Sequence, residues 1–205
     1  MKMTKKLGLA SLCLAMLVLS SAAYAEPITY AIHVDTSSIF GTSGFVDLQL
    51  NPQGSPGTFD TVTALAFGFS STGTLGAVDG GNIGNTAGDL ASNVNLDTGA
   101  GLADFAQNYT FSSFFDVFVT LDMPTVTPLT EATDFYVNVY DGGYGQLLGG
   151  PASHVLIDVD GSQTILAGSE GSTTTEAPSV PEPTTMLLLA SGLAGAWIKK
   201  RRTAK

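Results

Sequence analysis

Apolar and polar residues alternate along most of the central part of this chain, which is the pattern of β-strands with one buried face. The clearest example is Ile28–Asp35, where every second residue is apolar. The same period predicts further strands at 44–50, 135–140, 154–160 and 163–167. Two more predicted strands, at 61–69 and 111–121, are apolar on both faces and are expected to be covered on both sides.

Turn-forming residues separate these strands and limit how they connect. The dipeptide Asp160-Gly161 is typical of a tight hairpin and predicts that the strand before it pairs with 163–167. Seven or eight antiparallel strands are expected. Sheets with one apolar face bury it against each other, so the pattern predicts an all-β fold, an antiparallel β-sandwich of jelly-roll-like type.

Two stretches lack this alternation. Residues 70–101 are rich in Gly, Asn and Asp and are predicted to form surface loops, with one short strand at 94–96. Residues 168–179 are rich in Ser, Thr, Glu and Pro and are predicted to form a flexible linker. The ectodomain that remains, 26–167, has the length of one domain with one core.

The start of the chain has the three parts of a secretory signal peptide. Lysines come first, a short apolar run follows at 7–19, and small residues at Ala23 and Ala25 form a cleavage site. Segment 1–25 is therefore predicted to direct export through the Sec machinery, with signal peptidase cutting after Ala25. Cys13 is the only cysteine of the chain, so the mature protein is expected to contain no disulfide.

A second signal lies at the other end of the chain and begins with residues that break regular structure. They are Val180, Pro181, Glu182 and Pro183. Proline lacks an N–H and fixes its φ, so this motif ends any preceding strand or helix. The apolar run 184–198 then predicts a transmembrane helix of only ~22 Å, against a hydrocarbon core of ~30 Å.

A basic stretch follows the predicted helix. It consists of Lys199, Lys200, Arg201 and Arg202, within the tail 199–205. Cations of this kind accumulate on the cytoplasmic side of membranes, so they predict that this end stays inside. The order of motif, short helix and basic tail over 180–203 resembles the PEP-CTERM sorting signal of exported proteins from Gram-negative bacteria.

The resemblance implies that an exosortase, a membrane-embedded transpeptidase-like enzyme, processes the region near Glu182. The protein is then expected to be anchored transiently in the inner membrane through its C-terminal helix, before it reaches the cell surface or the extracellular space. Proteins with this signal occur where extracellular polysaccharide and biofilm matrix are made. Segments such as 45–52 and 135–141 resemble a recurrent ectodomain attached to such tails, which implies architecture and context only.

Charge divides the chain in the same way. All eighteen Asp and Glu residues lie between Glu26 and Glu182, and all eight Lys and Arg residues lie outside that segment. An exported body with this charge repels phosphate backbones and anionic lipids, so nucleic acid is excluded as a partner. Its carboxylates must be solvated, capped by backbone N–H groups or neutralised by bound cations.

Two histidines are the main candidates for catalysis. In strand geometry His33 shares a face with Asp35, and His154 shares a face with Asp158, so either pair could hold a metal or form a dyad. The alternative is that both are ordinary polar residues on a solvated face. No nucleophile elbow, phosphate loop or zinc-protease motif occurs, so the chain is predicted not to be an enzyme.

Calcium is the candidate cofactor, because it takes oxygen ligands from flexible loops rich in Asp, Asn and Gly. The carboxylates that could bind it are Asp97, Asp158 and Asp160, although the EF-hand pattern is missing. The alternative is that no cofactor is bound and the carboxylates form a solvated surface.

Three tyrosines point to carbohydrate as a partner. Tyr136 and Tyr140 share one face of a predicted strand, and Tyr144 lies just beyond it. Exposed rings of this kind can stack on sugars, although plain packing is the alternative. The sequence thus predicts an exported, exosortase-processed surface or matrix protein without catalytic activity, with extracellular polysaccharide as a candidate partner. A secreted carbohydrate-binding or carbohydrate-active protein is the alternative.

Overall fold

A computed structural model of the chain describes residues 27–54, 60–123, 129–166, 168 and 171–176. The predicted signal peptide, with Ala23 and Ala25, and the predicted sorting signal at 180–203 lie outside these residues. The strands are β1 Ile28–Asp35, β2 Ser43–Pro52, β3 Thr63–Ser71, β4 Thr74–Val78, β5 Asn85–Asp89, β6 Asn93–Asp97, β7 Ala103–Thr110, β8 Phe114–Asp122, β9 Thr133–Asp141, β10 Ser153–Ile157, β11 Gln163–Leu166 and β12 Gly171–Glu176. Short 3-10 turns occupy Ser37–Ile39 and Thr98–Ala100. In this part of the chain no helix has both the length and the apolar character needed to cross a membrane.

The strands form two six-stranded sheets, which confirms the predicted all-β antiparallel architecture. Sheet A has the order β12-β1-β8-β3-β6-β5, and sheet B has the order β11-β10-β9-β2-β7-β4. The chain changes sheet between successive strands from β1 to β5, so β1 pairs with β8 and β2 pairs with β7. This is jelly-roll connectivity, except that β5 pairs with β6 instead of joining β4 in sheet B.

One hydrophobic core lies between the sheets. Strand alternation places Val46, Leu48 and Leu50 of β2 on the inner face, and all three are fully buried. At one end of the core, aromatic rings from both sheets meet. They are Phe69 and Phe115 from sheet A, with Tyr109 and Phe111 from β7 and the residue after it, and their ring centroids lie 5.1–6.2 Å apart in the contacting pairs.

The stretch 70–101 corrects the sequence analysis, because it contains strands β4, β5 and β6 in place of surface loops. Of these three strands, only β6 (Asn93–Asp97) was predicted, as the short strand at 94–96. The others lack an apolar alternation because they lie near the sheet edges, and β5 has no buried residue. Strand β5 is held in place by backbone hydrogen bonds to β6. Such bonds leave no pattern in the side chains, so the sequence does not predict this strand.

The linker predicted at 168–179 is also partly wrong, since Gly171–Glu176 forms β12 at the edge of sheet A next to β1. Its run of β-branched threonines suits a strand, and the free edge of β1 supplies a partner. Strands β3 and β8 differ from expectation too. Their outer faces are partly open, and Leu65 is 38% exposed, because nothing described in the chain covers sheet A from outside.

Candidate functional site

The outer face of sheet B collects the polar and aromatic side chains of the central strands. In β2 and β9 the residues that alternate with the apolar core positions point to this face, and Asp47 lies opposite Asn138. Phe45 lies opposite Tyr140 in the same register. In each strand, the residues between the core positions thus lie on the outer face. Together they form a surface that contains both aromatic rings and carboxylates.

Asp47 is the most unusual group on this face, because it is a carboxyl with only 2% of its surface exposed. The side-chain Nδ2 of Asn138 donates a hydrogen bond of 3.0 Å to it. Burial, together with the neighbouring carboxyl of Asp104, raises the pKa of Asp47 to about 8. Asp47 is therefore protonated at neutral pH and can donate a hydrogen bond to Asp104, whereas two charges there would repel.

Tyr144 covers part of this surface. Its ring stacks on Phe45 with a centroid distance of 5.2 Å and an angle of 4°. Its hydroxyl donates to Asp79 across the sheet at 2.9 Å, and this bond raises the pKa of Tyr144. The ring centroid of Tyr140 lies 6.4 Å away. Two of the three predicted tyrosines thus form one aromatic group.

Tyr136 lies apart from that group, four residues back along β9. Its ring contacts the imidazole of His154, with centroids 4.3 Å apart. The prediction that Tyr136 and Tyr140 share one face of this strand is compatible with the register, but only Tyr140 and Tyr144 are brought into ring contact.

Both histidines form carboxylate pairs, but with partners that the sequence did not identify. His33 Nδ1 lies 2.7 Å from Asp116 on β8, and His154 Nε2 lies 2.6 Å from Asp134 on β9. The predicted partner Asp35 instead accepts a hydrogen bond from the backbone N–H of Ser37. The partner on the adjacent strand is closer than the predicted residue, which lies two positions from His33 and four positions from His154 along the chain.

The His33 pair lies beside a shallow hollow of about 230 Å³ on the outer face of sheet A. Ser70 also lines it, and its hydroxyl is 3.5 Å from Asp116. The carboxylate therefore stands between the serine and the histidine. A nucleophilic serine needs the imidazole next to its hydroxyl, so this order does not match a catalytic triad.

The three predicted calcium ligands do not converge. Asp97 ends β6 in sheet A, where it accepts a hydrogen bond from the N–H of Gly99 at 2.6 Å. Asp158 and Asp160 lie in the β10–β11 hairpin of sheet B and accept bonds from Val159 and Ser162. Among the described residues, no three His, Cys, Asp or Glu side chains are grouped so that they could hold a metal.

We expect calcium to raise the melting temperature no more than magnesium does at the same high ionic strength. The reason is that each candidate carboxylate already caps a neighbouring backbone N–H. A specific site would add about 2.7 kcal/mol at a hundred times its Kd, which is several degrees for this domain. A calcium-specific gain of that size, lost in Asp158→Asn, would contradict the expectation.

The described residues define an all-β, two-sheet domain with an aromatic and carboxylate outer face. At the end of the same chain, residues 179–202 match the PEP-CTERM protein-sorting motif, which confirms the resemblance predicted at 180–203. The chain is thus an exported protein with a C-terminal sorting signal that targets it to an exosortase. Neither a curated protein sequence nor a solved structure matches it.

Proposed function

We propose that this protein is a non-catalytic component of the cell surface or extracellular matrix, released from its membrane anchor by an exosortase. The observation that carries the proposal is the sorting motif at 179–202, which follows an exported β-sandwich without any Lys or Arg between residues 26 and 182. A protein with this sorting signal acts outside the cell, where polysaccharide is the abundant polymer.

Three features of the described residues favour a non-catalytic role. His33 and His154 are each held by one carboxylate, and aromatic rings lie against both imidazoles. Ser70 bonds to Asp116 and not to a histidine. Asp47, whose raised pKa would suit a general acid, is too deeply buried to contact a polymer.

The alternative is a secreted carbohydrate-binding or carbohydrate-active protein. The exposed ring of Tyr144 and its neighbour Tyr140 favour binding. Glycoside hydrolysis would need two carboxyls on either side of an accessible bond, roughly 5–9.5 Å apart. Asp47 is buried and hydrogen-bonds directly to the half-buried Asp104, so this pair leaves no room for a sugar bond between its carboxyls, and of these two activities the geometry favours binding.

The proposal predicts that the surface form of the protein has lost its C-terminal anchor. Intact-mass measurement of protein recovered from the surface or medium should give a chain that starts after Ala25 and ends near Glu182. Glu182→Ala is expected to keep the full C-terminus and to remain in the membrane fraction, because the change removes the central residue of the motif.

Glu176→Ala is the matched control, because it removes the same side chain just outside the motif. It should be released like the unchanged protein. A surface form that retains residues 184–205 would refute processing. Release of reducing ends from extracellular polysaccharide by the purified protein, lost on Asp104→Asn, would replace the non-catalytic proposal with the enzymatic alternative.

A further inference from the structure

Tyr144 is held in a backbone conformation that residues with side chains rarely adopt. Its φ is +62°, and among the described residues it is the one non-glycine with a positive φ. The carboxylate of Asp141 maintains the turn by accepting hydrogen bonds from the N–H groups of Gly143 and Gly145, both at 2.8 Å. Strain of this kind persists where a fixed side-chain position is needed, which is a reason to examine the ring.

The ring of Tyr144 forms a rigid, open platform. One side rests on Phe45 in a nearly parallel stack, and the hydroxyl is fixed by Asp79. The residue is nevertheless 55% exposed, so much of the ring faces solvent. The ring of Tyr140, tilted by 56° to that of Tyr144, extends this apolar surface, and the two tyrosine side chains lose little conformational entropy when a ligand binds.

A hollow of mixed character adjoins this platform. It has a volume of about 190 Å³, and its lining combines apolar residues with residues that carry hydroxyl or amide groups, namely Leu75, Tyr109, Ser43, Thr74, Thr110 and Asn108. Asn108 lies opposite Phe45 in the β2–β7 register, so the hollow begins beside the ring on which Tyr144 stacks. Gly76 leaves the backbone bare beside Asn108, which keeps the hollow open.

The surrounding charges select the ligand. Asp79 and Asp104 flank the platform and can accept hydrogen bonds, while the described residues contain no Lys or Arg to attract an anion. A polyanion would be repelled by this domain. A neutral polysaccharide has flat apolar ring faces for the tyrosines and hydroxyl groups for the carboxylates and the hollow.

We propose that the Tyr140–Tyr144 platform and the adjoining hollow are a binding site for a neutral polysaccharide. This inference rests on the proposed function for the source of the ligand, because a surface protein meets extracellular polymers. The chain of sugars runs from Tyr144 towards Ser43 and Thr110, away from Tyr136.

The test is affinity electrophoresis of the protein recovered after export of the full chain. The gels contain hydroxyethylcellulose, galactomannan or dextran as neutral polymers, or alginate as a polyanion. At least one neutral polymer should retard the protein and alginate should not. Tyr144→Gly should weaken binding by about tenfold or more, because a stacked ring is lost. Glycine suits the positive φ, so the melting temperature should stay within about 3 °C.

Two further variants distinguish the loss of the Tyr144 ring from a general effect on the fold. Tyr144→Phe keeps the ring but loses the bond to Asp79, and should bind within about threefold of the unchanged protein. Tyr136→Ala is the matched control and should bind normally. Equal binding by Tyr144→Gly, equal retardation in alginate, or no retardation by any neutral polymer would overturn the inference. Release of the protein at the surface would be unaffected by those outcomes, so they leave the proposed function standing.

Discussion

Asp47→Asn is expected to stabilise the protein at pH 8 and to change its stability little near pH 4. The folded protein keeps Asp47 protonated up to about pH 8, whereas the unfolded chain releases that proton near its ordinary pKa of 3.8. Between these values the native state binds one proton more, so its free energy of unfolding falls as pH rises. Asparagine mimics the protonated carboxyl at every pH and removes this loss.

The expected gain at pH 8 is at least about 3 kcal/mol, because the folded protein holds a proton that the unfolded chain releases, and each pH unit between the two pKa values costs about 1.4 kcal/mol. For this domain it corresponds to roughly 6–12 °C in Tm, measured by thermal unfolding at constant ionic strength. The two tyrosines near Asp47 do not obscure the effect. Tyr140 and Tyr144 have raised pKa values, so both stay neutral across the window.

Asp122→Asn is the control for net charge, because it removes one carboxylate from an exposed position at the end of β8. Its effect should stay within about 0.5 kcal/mol at both pH values. Equal stabilisation by the two variants would mean that overall repulsion among the carboxylates, and not the burial of Asp47, sets the pH dependence.

Phe115→Ala is expected to cost about 3–5 kcal/mol in the free energy of unfolding, a large fraction of the stability of a typical domain. The ring is fully buried, stacks on Phe69 at 5.4 Å and meets the edge of Tyr109 from the other sheet at 6.2 Å. The exported body has neither cysteine nor Lys nor Arg. The core must therefore supply what disulfides and ion pairs provide in other exported proteins.

Urea unfolding measures this loss as a lower midpoint with an unchanged slope. Phe40→Ala is the matched control, because it deletes the same side chain where it is 70% exposed, and should stay within about 0.5 kcal/mol. Similar midpoints for the two variants would show that the aromatic cluster does not hold the sheets together.

The strands that the sequence predicts best are those with one strictly apolar face. Strand β1 matches its predicted bounds, and β2 and β9 differ by a few residues at their ends. Strand β7 was not predicted, because its inward position Gln107 is polar. The side-chain amide of Gln107 accepts a hydrogen bond from the N–H of Leu90 and donates one to the carbonyl of Gly76, and both partners are distant in sequence. Strand β5 has no apolar pattern at all.

The site was predictable only in part, for a related reason. Tyr140 and Tyr144 were identified because a residue just beyond a strand stays near its outer face. Asp47 looked like an ordinary solvated carboxylate in an alternating strand. Its burial depends on Asn138 from β9 and Asp104 from β7, which the sheet brings together from far along the chain.

Strand β12 is the last strand of the domain along the chain, and it pairs with the first. His33 in β1 meets Asp116 across 83 residues, and Thr174 Oγ1 donates to the carbonyl of Ala31 across 143 residues. A polypeptide that crosses the membrane N-terminus first therefore exposes β1 long before its neighbours emerge. For export in that direction we expect sheet A to be completed only when translocation has nearly reached the sorting motif, because its edge strand β12 lies just before that motif.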